Sequence, residues 1–209
     1  MTVLKQCAGV VRTNAYFLID DLTGEAAMID CPCKSDVLDE LAKDERIKKL
    51  KYIILTHGHY DHILGVKHMV ELTGAQVIIH SADAECLINP RASLAAYRME
   101  VQEPFENYKT VNDGDVIELG SLKIKVMHTP GHTKGCMCLI VNDVIFSGDT
   151  LFYNDIGRTD LPGGSYEEIL SSLKKLDALD GDFKVNPGHG PSTTLDFERE
   201  NNRYFSLDR

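Results

Sequence analysis

One six-residue stretch, His57-Gly58-His59-Tyr60-Asp61-His62, places three imidazoles and a carboxylate next to one another. Neutral imidazole and carboxylate are good ligands for zinc and other transition metals. An ordinary surface rarely crowds three histidines, because each adds little stability there. The stretch follows a short apolar run at residues 52–55 that is typical of a buried strand. It therefore predicts a metal site in the loop where this strand ends.

Three turns further along the chain each present one ligand-type side chain. They are Thr129-Pro130-Gly131-His132, Ser147-Gly148-Asp149 and Pro187-Gly188-His189, and they follow predicted strands at residues 122–127, 144–146 and 183–185. Catalytic groups are commonly carried by loops on a rigid scaffold, and these loops converge only if their strands share one edge of a sheet assembly. Seven ligands exceed the number that a tetrahedral zinc takes, so the set suits two metals sharing one carboxylate.

The rest of the chain alternates short apolar strands with amphipathic helices, which predicts a layered α/β fold. Further strands are expected at residues 15–20, 26–30, 76–79, 116–119 and 137–141. Helices are expected after Ser35, after His62 with Gly74 as the stop, from Ser81, and after the capping box Ser165-x-x-Glu168. Residues 90–109 are less regular and are expected to form a surface insert over the site.

Length and composition fit a single domain over residues 1–209. Hydrophobic residues make up 43% of the chain, which is enough for a buried core. The net charge of −10 argues against nucleic acid as a partner, because nucleic-acid binding needs a basic surface. The sequence shows no signal peptide and no apolar run of about 18 residues, so we expect a cytoplasmic location and no membrane. The expected partner is a small-molecule substrate, and the chain is expected to be a monomer or a homodimer.

Two cysteine pairs and three histidines are expected to be structural. The pairs Cys31-Pro32-Cys33 and Cys136-Met137-Cys138 have a single intervening residue, fewer than the roughly two to four of zinc knuckles. In a cytoplasmic protein the six cysteines are expected to be reduced thiols. His68, His80 and His128 have no ligand-type partner at usable spacing, so each is expected to lie at the surface or to support a ligand.

Taken in order, the ligand motifs resemble those of the metallo-β-lactamase superfamily. The resemblance runs from the first predicted hairpin to His189 and covers nearly the whole chain. It implies an αβ/βα four-layer sandwich, in which two mixed sheets pack face to face, helices lie outside, and metals sit at one edge of the sheets. Carried over by motif, the first metal would be bound by His57, His59 and His132, the second by Asp61, His62 and His189, and Asp149 would bridge the two.

Within the superfamily, residues 148–152 and 156–165 are similar to glyoxalase II (hydroxyacylglutathione hydrolase) and its small bacterial relatives. In glyoxalase II a basic residue at the place of Arg158 helps to hold the substrate's carboxylate. Arg158 could instead be a surface cation in a salt bridge. Two departures matter. The sequence ends 20 residues after His189, whereas glyoxalase II carries an additional C-terminal helical segment that helps to bind glutathione, so the resemblance does not imply glutathione specificity. The di-zinc β-lactamases, which are secreted, often have a cysteine where Asp149 stands.

The metals suggest the reaction. Zinc lowers the pKa of bound water to about 7, and a bridging hydroxide would attack a carbonyl carbon while one metal stabilises the oxyanion. Asp61 and Asp149 are the carboxylates expected at the catalytic centre. An anionic thioester fits as substrate, because a thiol leaving group with a pKa of about 8.5 needs little protonation. Two zinc ions are expected, with iron or manganese as other candidates.

The sequence also bears on three alternative functions. A persulfide dioxygenase of the same fold shares the run at residues 157–160 and uses one iron, with His57, His132 and Asp149 as the matching ligands. The ligand motifs do not separate the two enzymes. A metal-binding module without catalysis is disfavoured, because ligands on open, Gly-rich loops are typical of catalytic rather than closed structural sites. A ribonuclease of this superfamily is disfavoured by the acidic charge and by the lack of room for an extra nuclease domain.

Overall fold

The first sheet contains six strands in chain order. The computed structural model describes residues 1–206, so residues 207–209 of the predicted domain lie outside the described residues. The strands are β1 (Thr2–Ala8), β2 (Thr13–Ile19), β3 (Glu25–Ile29), β4 (Lys49–Leu55), β5 (Gln76–His80) and β6 (Tyr108–Val111). Strands β1 to β3 pair antiparallel, whereas β3 to β6 run parallel. The carboxyl ends of the parallel strands therefore share one edge, where β4 leads into His57.

The second sheet is built mainly from the second half of the chain. Eight strands follow: β7 (Val116–Leu119), β8 (Leu122–His128), β9 (Met137–Val141), β10 (Val144–Gly148), β11 (Leu151–Phe152), β12 (Asp155–Ile156), β13 (Lys184–Pro187) and β14 (Thr193–Thr194). Six of them form the sheet in the order β14-β13-β10-β9-β8-β7, while β11 and β12 pair in a short ribbon. Because β10 and β13 are parallel neighbours, the loops carrying Asp149 and His189 leave the same edge.

Within residues 1–206, six α-helices connect or cover these strands. They are α1 (Asp36–Leu41), α2 (Tyr60–Ile63), α3 (Val66–Thr73), α4 (Ala95–Arg98), α5 (Tyr166–Asp177) and α6 (Leu195–Asn201), with 3-10 turns at Ser81–Leu87 and Arg203–Phe205. Helix α5 begins as the capping box predicts, because the Ser165 side chain accepts a hydrogen bond from the Glu168 backbone N–H. Helix α3 ends at Gly74, whose φ of 70° is left-handed. No helix within residues 1–206 is long and apolar enough to cross a membrane.

Strand β2 shows how the layers are built, because both of its faces are buried. Tyr16 and Leu18 belong to the apolar cluster between the sheets, together with Phe146 of the second sheet. The alternate residue Phe17 belongs to a cluster under α1 and α3 on the outer face, and a third cluster packs α5 and α6 on the second sheet. Fully burying one such side chain contributes about 1.5–3 kcal/mol. The architecture is therefore the predicted αβ/βα four-layer sandwich of two mixed sheets.

Three local predictions need correction. Strand β1 was not expected, because its side chains are only half-buried at the edge of the sheet and show no apolar alternation. The helix expected after His62 is two helices, and between them a side chain at Gly65 would lie 2.5 Å from the Cys33 carbonyl oxygen. Ser35 precedes α1 but makes no side-chain cap. The irregular segment at residues 90–109 holds α4 and the start of β6.

Candidate metal centre

All seven predicted ligand residues meet at one edge of the two sheets. His57 and His59 follow β4, and α2 carries Asp61 and His62 on its first turn. The other three come from the second sheet, in the loops after β8, β10 and β13: His132, Asp149 and His189. The side chains form three overlapping groups, each with its ligand atoms within 4.8 Å of one another: His57, His59 and His132; His57, His62 and Asp149; Asp61, His62 and His189.

The first group contains three buried histidines. Nδ1 of His59 lies 2.8 Å from Nε2 of His132. Nδ1 of His132 donates to the Arg158 carbonyl oxygen at 2.7 Å, which leaves its Nε2 facing the other imidazoles. Nδ1 of His57 lies 3.2 Å from the Thr56 hydroxyl, which leaves Nε2 of His57 free in the same way. The ligand nitrogens of the three imidazoles therefore meet in one volume, within 4.8 Å of one another.

The group of Asp61, His62 and His189, called the second group from here on, joins one carboxylate to two imidazoles. Oδ2 of Asp61 lies 3.2 Å from Nε2 of His189, and Nε2 of His62 lies 3.4 Å from the same nitrogen. Asp149 stands between the two groups, because its Oδ2 lies 3.5 Å from Nε2 of His132 and 3.5 Å from Nε2 of His189. This position suits a carboxylate that serves both groups.

Two orphaned polar atoms show that the site fits a cation. Nε2 of His57 and Oδ1 of Asp149 are buried and find no hydrogen-bond partner among residues 1–206. Leaving such a buried group unsatisfied costs about 1–3 kcal/mol, and more when the group is charged. Both atoms are metal-ligand types, and a metal ion would satisfy them.

The pKa values of His57 and His59 also fit a metal site. Burial holds the pKa of His57 and of His59 below the usual range, and positive charge on neighbouring imidazoles lowers both pKa values further. They therefore stay in the neutral form that a metal requires. Burial alone would also lower the pKa of His62, but Asp30, Asp61 and Asp149 outweigh it and raise that pKa to about 10. Three carboxylates therefore surround the His62 imidazole, and a metal bound there would displace a proton from its Nε2.

Asp30 orients His62 from behind, and the sequence analysis missed it. Its Oδ2 accepts a hydrogen bond from Nδ1 of His62 at 2.8 Å, so Nε2 of His62 faces the site. Its Oδ1 accepts from the Thr56 backbone N–H at 2.8 Å. The residue has a φ of 59°, which is unusual for a non-glycine residue and is held by this network. A carboxylate at the end of a buried strand was the available signal.

Asp83 is a second missed residue, and it ties two ligand loops together. Its buried carboxylate accepts from the backbone N–H of Gly58 at 2.9 Å and of Gly135 at 2.8 Å. It also accepts from the Thr133 hydroxyl at 2.6 Å. Gly58 lies between His57 and His59, while Thr133 follows His132. Asp83 therefore fixes the two loops that supply the first group.

Arg158 borders the site, but its guanidinium is already paired. Nε and Nη2 each donate to a carboxylate oxygen of Asp160 at 2.7 Å. The Arg158 side chain is 55% exposed, as expected of a surface ion pair. The part of Arg158 that touches a predicted ligand is its backbone carbonyl, which accepts from His132. Of the two interpretations of this residue, the salt bridge is the one the structure displays.

A cavity of about 500 Å³ opens over the ligand groups. Its apolar lining includes Val11, Leu94, Phe152 and Leu161, and its two guanidinium groups are those of Arg98 and Arg158. Leu94 and Arg98 come from the segment at residues 90–109, which therefore forms part of the wall of the cavity. The cavity is large enough for a small organic substrate.

The remaining histidines and cysteines lie elsewhere. Nε2 of His68 pairs with Asp39 at 2.8 Å, and the rings of His80 and His128 stack 4.0 Å apart. All six cysteines are free thiols, and four of them are buried: Cys31, Cys86, Cys136 and Cys138.

With fold and site in place, the chain can be assigned to a family. It matches the metallo-beta-lactamase superfamily over residues 8–189 and belongs to that superfamily. An uncharacterized protein of Mycobacterium leprae is 36% identical, covering 94% of this chain and 95% of that protein. A hydroxyacylglutathione hydrolase of Francisella philomiragia is 33% identical, covering 90% of this chain and 67% of that protein.

Solved structures show the same architecture. The B3 metallo-beta-lactamase BLEG-1 is 30% identical with a TM-score of 0.87, covering 98% of this chain and 100% of that one. The protein TTHA1623, solved in a di-iron-bound form, is 31% identical with a TM-score of 0.85, covering 96% and 99%. ETHE1 from Myxococcus xanthus is 27% identical with a TM-score of 0.80, covering 99% and 85%.

Proposed function

We propose that this protein is a two-metal hydrolase that cleaves a thioester or a related ester, in the manner of glyoxalase II. The observation that carries the proposal is the overlap of the ligand groups around two orphaned atoms, Nε2 of His57 and Oδ1 of Asp149. One ion would leave part of the seven-residue set unused. Two ions would use all of it, with Asp149 as the shared ligand.

Some residues of the site would bind the ions, and others orient those ligands or line the cavity. His57, His59 and His132 would hold the first ion, and Asp61, His62 and His189 the second. When bound, the ions supply a Lewis acid for a carbonyl oxygen and lower the pKa of a water molecule. Asp30 and the Arg158 carbonyl fix the ring nitrogens of His62 and His132 that face the site. The apolar wall of the cavity restricts water around a bound acyl group.

A thioester is the substrate class that requires the fewest catalytic groups from the protein. Its thiol leaving group has a pKa of about 8.5 and departs without a dedicated general acid. The similarity to a hydroxyacylglutathione hydrolase supports the same class, as does the resemblance of residues 148–152 and 156–165 to glyoxalase II. Zinc is the proposed metal, with iron and manganese as the other candidates, since a similar structure holds two irons.

The mono-iron persulfide dioxygenase is kept as a second candidate because of the similarity to ETHE1. Its ligands would be His57, His132 and Asp149. The 3.5 Å between Oδ2 of Asp149 and Nε2 of His132 is compatible with this candidate as well.

One set of assays separates the candidates. The purified protein is stripped with a chelator, reloaded with zinc or iron, and assayed on a hydroxyacylglutathione, a simple acyl thioester and a β-lactam, with oxygen uptake followed on a persulfide. We expect chelation to abolish thioester hydrolysis and zinc to restore it. Full turnover by the metal-free protein would refute the proposal, and oxygen uptake by the iron form without thioester hydrolysis would favour the dioxygenase.

A further inference from the structure

Among the described residues, two guanidinium groups line the cavity, and one of them has no partner in the protein. Arg158 gives two parallel hydrogen bonds to Asp160, so that its charge is balanced within the protein. Arg98 is exposed and forms no hydrogen bond or ion pair with any described residue. A free guanidinium can bind a carboxylate through the same two-pronged geometry that Asp160 uses on Arg158.

Helix α4, which ends at Arg98, is packed against helix α2, which carries Asp61 and His62. The residues that flank α4, Leu94 and Met99, have φ values of 69° and 57°, both left-handed. The backbone N–H of Tyr60, next to Asp61, donates to the Ser93 carbonyl oxygen at 2.8 Å. Leu94 and the fully buried Ala95 pack against Tyr60 in one apolar cluster. Non-glycine residues with positive φ persist where the surrounding structure enforces them, often at functional sites.

Arg98 is a local positive charge on the cavity wall of an acidic chain. The chain carries a net charge of −10, so its surface as a whole does not attract an anionic substrate. Apolar side chains, among them Val11, Leu94 and Leu161, line the cavity beside Arg98. A charge-assisted hydrogen bond beside apolar walls is stronger than one in open water.

We propose that Arg98, rather than Arg158, reads a carboxylate on the substrate, so that the substrate is an acyl thioester bearing a carboxylate as well as an apolar part. Arg158 is then a positioning residue: its guanidinium is held by Asp160, and its own backbone carbonyl orients His132. This assignment rests on the proposed hydrolase function for its substrate class. It differs from the glyoxalase II pattern, which places the carboxylate contact at Arg158.

The kinetic test compares two thioesters that differ only in a terminal carboxylate or carboxamide. Wild type should prefer the acid, and Arg98→Ala should reduce that preference, read as the ratio of kcat/KM values, by about 10- to 150-fold through KM. Arg158→Ala is the matched control and should keep the preference even where it slows turnover. Retained preference in Arg98→Ala, or its selective loss in Arg158→Ala, would overturn the assignment.

A binding measurement tests Arg98 without turnover. The zinc-loaded protein is titrated calorimetrically with N-(mercaptoacetyl)phenylalanine and with the corresponding carboxamide. Both compounds carry a thiolate, which is a good zinc ligand. Wild type should bind the acid more tightly than the amide, and Arg98→Ala should bind the two alike. Equal binding of both by wild type would overturn the carboxylate site. If the protein hydrolysed no thioester, the hydrolase proposal would be refuted but the carboxylate site at Arg98 would not, because calorimetry measures the preference for the acid without turnover.

Discussion

Replacing Asp30 by asparagine is expected to weaken metal binding at the group formed by Asp61, His62 and His189. The carboxylate accepts from Nδ1 of His62 at 2.8 Å, so the His62 proton is on Nδ1 and Nε2 is free for a metal. Asparagine keeps the shape and can still accept from the Thr56 N–H. Its NH₂ group would face Nδ1, however, and favour the tautomer with the proton on Nε2. That tautomer cannot bind a metal through Nε2.

The expected loss is about 10- to 100-fold in metal affinity, the usual effect of removing a carboxylate partner from a ligand histidine. This corresponds to ~1.4–2.7 kcal/mol. Competition with a coloured chelator would measure both binding constants in wild type and Asp30→Asn. Asp39→Asn provides the control, because Asp39 makes the same kind of carboxylate–imidazole pair with His68, away from the centre. Unchanged affinity in Asp30→Asn, or an equal loss in Asp39→Asn, would refute the reasoning.

Two further substitutions test the division of the centre. Asp149→Asn should lose more activity and more metal than His189→Ala, because Asp149 lies 3.5 Å from a histidine of each group whereas His189 belongs to one; the reverse order, measured by metal analysis and thioester kinetics, would remove Asp149 from the shared position. Asp83→Asn should weaken the His57, His59 and His132 group and lower the free energy of unfolding by about 1.5–3 kcal/mol, since a charged acceptor of three donors is lost. Chemical denaturation and metal competition would measure both effects, and a selective loss at the other group would contradict the role given to Asp83.

The motifs predicted the fold and the meeting of the seven residues because both depend on local patterns. The apolar run of β4 leads directly into His57, and each of the other ligands follows a strand in the same way. Strand β1 was not predicted, because an edge strand with half-buried side chains shows no clear alternation of apolar and polar residues. Its place is set by pairing with β2, not by its own composition.

The supporting carboxylates could not be found from local patterns. Asp30 is 32 residues from His62, and Asp83 is 52 residues from Gly135, so both contacts arise only when the sheets are packed. Arg158 illustrates the opposite case. Its partner Asp160 is two residues away, yet the sequence allowed the guanidinium to meet either Asp160 or a substrate. Only the side-chain geometry distinguishes the two, and within residues 1–206 it leaves Arg98 as the cavity's guanidinium without an ion-pair partner.

Anomalous X-ray diffraction from crystals of the protein, purified from its own source without added metal, tests the two-metal centre most directly. X-ray fluorescence from the same crystals identifies the element. A two-metal centre would give two metal peaks, one among His57, His59 and His132 and one among Asp61, His62 and His189, with Asp149 between them. A single iron peak bound by His57, His132 and Asp149 would contradict it.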